Sequence, residues 1–218
     1  MDTLFSDDDR QRIAEAIEAA ETETAGEIVP YIVPSSAPYE AVPWRAGVLS
    51  ALLMLALLAL ARAVPGYLPG ILWAEGVAWL LVLLIGGMGA FVAASVPGLV
   101  RRFAGAGRME AAVHQRALQA FVNEEVFATP DRTGILLFIS LLEHRVEVLA
   151  DAGIYTRVDD AAWERVTRRV RDGLKDGQLA TGLIAGIEQC GQILRAHDLA
   201  APDDNRDELP NHLHTRTE

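Results

Sequence analysis

The residues best suited to chemistry are carboxylates at the ends of apolar runs. Glu27 opens the run Glu27-Ile28-Val29-Pro30-Tyr31-Ile32-Val33, and Asp151 follows Arg145-Val146-Glu147-Val148-Leu149-Ala150. Brought to one end of a sheet, Glu27 and Asp151 offer oxygens to a hard cation such as Ca²⁺, although Ca²⁺ takes six to eight ligands. The plainer expectation is two strand-end carboxylates, solvated or paired with Arg132 or Arg145. Glu143 and His144 stand together where a turn is expected. His212 and His214 have metal-like spacing, but a two-ligand set on a polar tail is short of the usual three or four, and solvation is the expectation. Cys190 falls on the apolar face of the last helix, as a packing thiol does. Ser140 lies inside an apolar run expected to be buried, which suits packing better than nucleophilic attack. Arg168, Arg169 and Arg171 make a basic cluster, read as a solvated face or as a contact for anionic lipid headgroups. The chain contains no phosphate-cradling Gly-x-x-x-x-Gly-Lys loop, no Gly-x-Ser-x-Gly elbow and no His-Glu-x-x-His helix. Catalytic and cofactor-binding residues are therefore assigned to none.

The elements that would position these groups follow from periodicity. Ser6, followed by Asp7, Asp8 and Asp9, is a helix N-cap with negative charge in the first turn. Ile13, Ile17 and Ala20 give that helix its apolar face, and Gly26 suits its end. Residues 27–33 read as a strand, placed at an edge or a bulge because Pro30 lacks a ladder donor. A helix is expected from 108 to about 127, with Met109, Ala112, Val113, Ala117, Ala120 and Phe121 inward. Residues 134–141 are continuously apolar, as in a strand covered on both faces. Residues 145–150 alternate, so the two should pair as an antiparallel hairpin. Asp159 and Asp160 cap a helix carrying Trp163, Val166, Val170 and Leu174. A last helix runs from about 179 to 196, with Gly182 and Gly186 allowing close packing on the sheet.

Between the first strand and the remaining elements lies a nearly uncharged stretch of another kind. Residues 46–64, and within 71–96 the uncharged run 77–96, each come to the ~20 apolar residues that cross ~30 Å of hydrocarbon. Pro65, Gly66, Pro69 and Gly70 form the turn between them, and Trp44, Trp73 and Trp79 are placed as interfacial aromatics. Small residues recur at Gly86, Ala90 and Ala94, and at Gly47 and Ala51. Such ridges let helix backbones approach, within the hairpin or between copies of the chain. Arg45 precedes the first span, and Arg101, Arg102 and Arg108 follow the second, while the tip carries Arg62 against Glu75. The positive-inside rule then puts both flanks, and both termini, in the cytoplasm.

The fold class expected is an α/β sandwich, a small mixed sheet with helices on both faces, interrupted by a two-helix transmembrane hairpin. Residues 1–36 and 100–198 supply the two parts of one domain, because a lone first strand needs a sheet to join. The hairpin occupies 46–98, and 199–218 form a disordered polar tail. A formal net charge of -11 argues against nucleic acid as a partner. With a single cysteine no intrachain disulfide forms, and the acidic start lacks the order of a secretory signal.

Three stretches, Thr24-Ala25-Gly26-Glu27-Ile28-Val29, residues 132–141 and residues 145–154, resemble the TPM domain, and Gly182-Leu183-Ile184-Ala185-Gly186-Ile187 is similar to that family's closing helix. The resemblance implies a central sheet sandwiched by helices. It also implies a bacterial subgroup with two membrane helices inside the domain, and so a bacterial inner-membrane location. Members of the family have been proposed as acid phosphatases, and some bind Ca²⁺. Soluble members carry an aspartate-rich stretch after the first strand, and here the hairpin stands in its place, removing those carboxylates. The expected function is accordingly a membrane-anchored protein-binding or scaffolding module acting in assembly or repair of membrane complexes. The expected partners are the lipid bilayer and other membrane proteins, with a phosphatase-type hydrolase or a Ca²⁺-binding module as the alternative.

Overall fold

The computed structural model describes residues 4–63, 75–199 and 214–215. In chain order the elements are α1 (Asp7–Glu23), β1 (Glu27–Val33), α2 (Ala41–Arg62), α3 (Glu75–Ser95), α4 (Pro97–Ala104) and α5 (Ala106–Asn123). They continue with β2 (Gly134–Ser140), β3 (Arg145–Ala150), α6 (Ala152–Tyr155), α7 (Asp160–Lys175), α8 (Leu179–Ala196) and β4 (His214–Thr215). The chain divides into two compact units, one of Met1–Ala37 with Glu110–Glu218, the other of Pro38–Met109.

The first unit is an α/β sandwich. Its sheet runs β3-β2-β1-β4. β1 and β2 are parallel, with Glu27 opposite Gly134 and Val33 opposite Ser140, and β2 and β3 form the expected antiparallel hairpin. β2 is buried along its whole length because both faces are covered. Ile135, Leu137 and Ile139 pack with Ile28 and Ile32 against Ile13 and Ile17 of α1, Val166 and Val170 of α7, and Leu183 and Ile187 of α8. Leu136 and Phe138 face the other way, with Val29 and Tyr31, onto Val113, Ala117 and Ala120 of α5. The Tyr31 and Phe138 rings stack there at 5.9 Å between centroids.

Pro30 sits in β1 without breaking a ladder. Glu27 N–H donates to the Thr133 carbonyl on the β2 side (3.2 Å), so by the two-residue alternation of a strand Pro30 faces the outer edge, where no β2 bond is lost. On that same edge the Ile28 N–H donates to the buried Glu21 carboxylate (2.8 Å). β4 pairs in parallel with Tyr31 and Ile32, beyond Pro30. Of the expected disordered tail 199–218, Leu199 is instead buried and its carbonyl accepts from the Ala25 N–H (3.0 Å), 214–215 are this short strand, and the rest lies outside the described residues.

Local stops and starts mostly follow the expected chemistry. Ser6 and Asp9 form a capping box: the Asp9 N–H donates to Ser6 Oγ and the Ser6 N–H to the Asp9 carboxylate, both at 3.1 Å. Hydrogen bonds from the Ser6 side chain and backbone, helped by nearby Arg12, hold the Asp9 carboxyl below its usual range. Gly26, expected as a helix stop, serves a different need: a Cβ there would meet Leu194 Cδ1 at 2.4 Å. Gly182 and Gly186 bring α8 onto α7 more than onto the sheet. A Cβ on Gly182 would lie 2.8 Å from the Gly173 Cα, and one on Gly186 would lie 2.3 Å from Val170 Cγ2.

The second unit holds the two long apolar helices. α2 begins at Ala41, five residues before the expected 46, because Pro43 falls in the first turn, where a missing N–H costs little. Trp44 is thereby a helical residue, and it is exposed. α3 is described from Glu75; the expected start at 71 and the turn 65–70 lie outside the described residues. The two helices meet through their small residues. A Cβ on Gly47 would touch the Gly86 carbonyl at 3.0 Å and Ala90 Cβ at 3.1 Å, and one on Gly86 would touch Ala51 Cβ at 3.1 Å. The expected third member of the ridge, Ala94, is exposed, and Ala93 is buried in its stead. The helix expected from 108 to about 127 is α5, Ala106–Asn123, and a short helix that was not expected precedes it. Pro97 forces Val96 into extended backbone and starts the short helix α4, and Gly105, at φ 85°, separates it from α5.

Glycine positions yield a direct test. A Cβ on Gly134 would sit 1.9 Å from the Val126 carbonyl oxygen, whereas one on Gly107 would meet nothing within 4 Å. Gly134→Ala is expected to lower unfolding stability by about 3 kcal/mol, at the upper end for overpacking, and Gly107→Ala by nothing measurable. Denaturant unfolding followed by near-ultraviolet circular dichroism reads both.

Candidate functional site

The sheet register brings Glu27 and Asp151 to one end and one face. Glu27 is opposite Gly134, and the Asp151 N–H donates to the Gly134 carbonyl at 2.9 Å, the next step of the β2–β3 ladder. Two inter-strand spacings separate them, about 10 Å between backbones. The residue between has no side chain, and the Val126 carbonyl fills the space above it.

Asp151 is committed to an ion pair and a cap. Its carboxylate accepts from Arg132 Nε (2.5 Å) and Nη2 (2.9 Å), and from the Ala152 N–H (2.7 Å) at the start of α6. This two-pronged pairing is the strong geometry for a guanidinium. It holds the Arg132 guanidinium above its ordinary pKa through the hydrogen bonds and the charge of Asp151. Arg132 has positive φ (57°), and its carbonyl accepts from the Gly153 N–H at 2.9 Å. The preceding loop is closed by the Thr133 N–H donating to Thr129 Oγ1 at 2.9 Å. Of the two sequence-level readings of Asp151, the pairing with Arg132 is therefore formed. Arg145 turns instead to Glu110 of α5 (3.4 Å). Glu27 is buried, 4% exposed. This end supplies two carboxylates, one of them held by arginine, which falls short of the six to eight oxygens of a Ca²⁺ ligand set. Among the described residues no group of three or more His, Cys, Asp or Glu converges as a metal site would need.

The opposite end lies at the carboxyl termini of the parallel strands, where open α/β sheets tend to bind ligands. Glu143 is buried there and accepts from the Ser36 N–H at 2.9 Å, from Ser35 Oγ at 3.4 Å and from Ser140 Oγ at short range. Ser36 Oγ in turn donates to Ser140 Oγ at 2.8 Å. A hydroxyl on a carboxylate is the first requirement of an activated nucleophile. Ser140, however, has no exposed surface, and the same bonds tie the segment after β1 to the turn after β2. The Leu141 and Leu142 N–H groups reinforce that tie by donating to the Val33 and Pro34 carbonyls (3.0 and 2.9 Å). His144 occupies the turn at φ 51°.

The remaining candidates are placed as follows. Cys190 is fully buried in α8, and burial pushes its thiol up to about 12. His212 lies outside the described residues, and His214 belongs to β4. Sequence reasoning missed His114, whose Nδ1 lies 2.5 Å from Glu147 Oε1, and Glu21, the cap on the β1 edge. Only the helical offset of Glu21 from Ile17 by four, onto the inward face, carried a signal for the latter.

These features define an α/β sandwich protein whose sheet ends are closed by internal polar bonds. The family model described as TPM domain matches residues 100–193, and the chain carries a TPM domain. In fold it is similar to the BA42 protein of the psychrophilic bacterium Bizionia argentinensis, solved by NMR. The TM-score is 0.59 at 18% identity, over 97% of this chain and 95% of that one. No curated protein matches the chain.

Three outcomes follow. Asp151→Ala removes both a helix cap and an ion pair whose arginine is half exposed, and should cost about 2 kcal/mol in denaturant unfolding. Ca²⁺ in millimolar excess should move the melting temperature by less than about 1 °C; a larger rise that Glu27→Gln abolishes would establish a cation site. Cys190 should resist alkylation at pH 8 in the folded protein and react at once in denaturant. Because its folded pKa is raised, its contribution to stability is complete below the ordinary thiol pKa and falls as pH rises from about 9 towards 12.

Proposed function

We propose that α2 and α3 form a hairpin in a bacterial inner membrane, with both flanks cytoplasmic, and that the hairpin holds the TPM domain at the surface as a protein-binding or scaffolding module. The supporting observation is where the apolar surface lies. Both helices are long and apolar enough to span a bilayer, yet only 17% of each span is buried within the protein. A core helix of a soluble protein would be mostly covered. Here Leu53, Leu60, Leu83 and Phe91 are each more than 60% exposed, and such a contiguous surface needs a nonaqueous partner. Arg45, Arg101, Arg102 and Arg108 flank the pair on the chain side opposite the tip, which favours a cytoplasmic domain.

The binding role rests on the closure of the candidate sites: the Asp151 and Glu143 carboxylates are spent on Arg132, backbone amides and buried hydroxyls. A domain so arranged offers surfaces more readily than reactive groups. The membrane part predicts that the protein stays in the pellet after carbonate washing and that an impermeant label reaches both termini from the cytoplasmic side only. Release by carbonate, or termini on opposite sides, would overturn it. The binding part predicts that capture from solubilised membranes returns the same membrane proteins in repeated experiments. Phosphomonoester turnover by the purified protein, lost in Asp151→Ala or Glu27→Ala, would replace the scaffold with a hydrolase.

A further inference from the structure

The sheet of the sandwich is open on one side. β3 is its terminal strand, and among the described residues no strand pairs with its outer edge. The Asp151 N–H points to β2, so by alternation the N–H and C=O groups of Val146, Val148 and Ala150 point outward. Natural edge strands are usually blunted by proline, a bulge or charges directed at the edge. β3 has none of these devices free: its two charges, Arg145 and Glu147, lie on the α5 face and are engaged by Glu110 and His114.

Beside this edge lies a cleft of about 580 Å³, walled by β3 on one side and α7 on the other. Trp163, Thr167 and Arg171 line the α7 wall at intervals of four residues, and Arg168 joins them at one end. Their spacing along the helix is about 6 Å per step. Alternate residues of a strand laid against β3 would recur every 6.8 Å or so. The two repeats nearly match over the length of the cleft. Among the described residues the indole Nε1 of Trp163 and Nε of Arg171 have no hydrogen-bond partner, but both atoms are covered from solvent, so recognition in the cleft rests on the strand edge and on the guanidinium charge.

Charged residues line both walls of the cleft: Glu147 on β3, which His114 engages, and on α7 Asp160 and Glu164 towards the N-terminal end with Arg168 and Arg171 towards the C-terminal end. The basic cluster noted in the sequence therefore splits. Arg168 and Arg171 turn to the cleft, whereas Arg169 does not line it, and its carbonyl lies against Gly182 of α8. A lipid headgroup uses guanidinium charge but not a row of alternating backbone donors and acceptors. A polypeptide strand uses both.

We propose that this cleft receives an extended segment of a partner protein, which adds to β3 as a further strand and presents one carboxylate side chain to Arg168 and Arg171. The proposal rests on the protein-binding reading above and names the surface and the chemistry of the segment.

The test uses the full chain in neutral-lipid nanodiscs and an eight-residue blocked peptide alternating Val and Thr with one central Glu. Its expected signature is a set of NMR shifts confined to the Val146, Val148 and Ala150 amides and the Trp163 indole N–H. Replacing the Glu by Lys should weaken binding about tenfold, the value of one charge-assisted hydrogen bond. N-methylation of alternate peptide amides should abolish binding. Arg168→Gln with Arg171→Gln should erase the preference for Glu over Lys. The proposal falls if the Glu and Lys peptides bind equally, if the N-methylated peptide binds as well, or if no shifts appear at millimolar peptide. It also falls if anionic lipid in the disc moves these signals and the peptide does not, or if protein concentration alone moves them, which would assign the cleft to a second copy. Loss of peptide binding together with unchanged capture of membrane proteins by the double Arg variant would end this proposal and leave the scaffold reading standing.

Discussion

The structure depends on the parallel pairing of β1 with β2. Roughly 100 residues separate Val33 from Gly134, and the two strands nonetheless register from Glu27–Gly134 to Val33–Ser140. The entropic cost of closing so long a loop rises only logarithmically with its length, so an inserted hairpin is tolerated if the strands gain enough by meeting. They gain a doubly covered apolar layer. Ile28 and Ile32 complete one core with Ile135 and Leu137, and Val29 and Tyr31 complete the other with Leu136 and Phe138. Without β1 both cores lose a wall.

The same pairing explains why the polar groups at the sheet ends are turned inward. At the amino end the loop before β2 must pass over Gly134, and the Arg132–Asp151 pair and the Thr129–Thr133 bond hold it there. At the carboxyl end Ser36, Ser140 and Glu143 knit the exit of β1 to the turn after β2, just before the chain departs for the hairpin. Buried polar groups of this kind are costly unless satisfied, and once satisfied they fix one arrangement against alternatives. The reactive-looking residues of the sequence are thus largely those that secure the insertion points.

Much of this was legible beforehand. The apolar run 134–141, the alternation of 145–150 and the helical spacing of Trp163, Val166 and Val170 each report burial, and burial has a fixed period in helix and strand. That Glu27 and Asp151 share one sheet end entered only as a condition, and it is met because β1 runs parallel to β2 and β3 antiparallel to it. What escaped depended on three-dimensional neighbours. Gly26, Gly182 and Gly186 looked like stops or sheet contacts, but their roles are set by Leu194, Gly173 and Val170, which are distant or on another helix. The choice of Asp151 between a cation, water and two arginines turned on the positive-φ backbone at Arg132, which no side-chain pattern announces. Likewise α4 went unassigned because eight residues are too few to establish a period, although Pro97 and Gly105 marked both of its ends.

The most direct measurement is the set of backbone NOEs across β1 and β2 in the intact protein in micelles. Cross-strand contacts should link Val29 with Leu136 and Tyr31 with Phe138, with β1 amides exchanging as slowly as those of β2. Rapid exchange throughout β1, or NOEs tying it to any strand other than β2 on that edge, would contradict the single interrupted domain on which everything else is built.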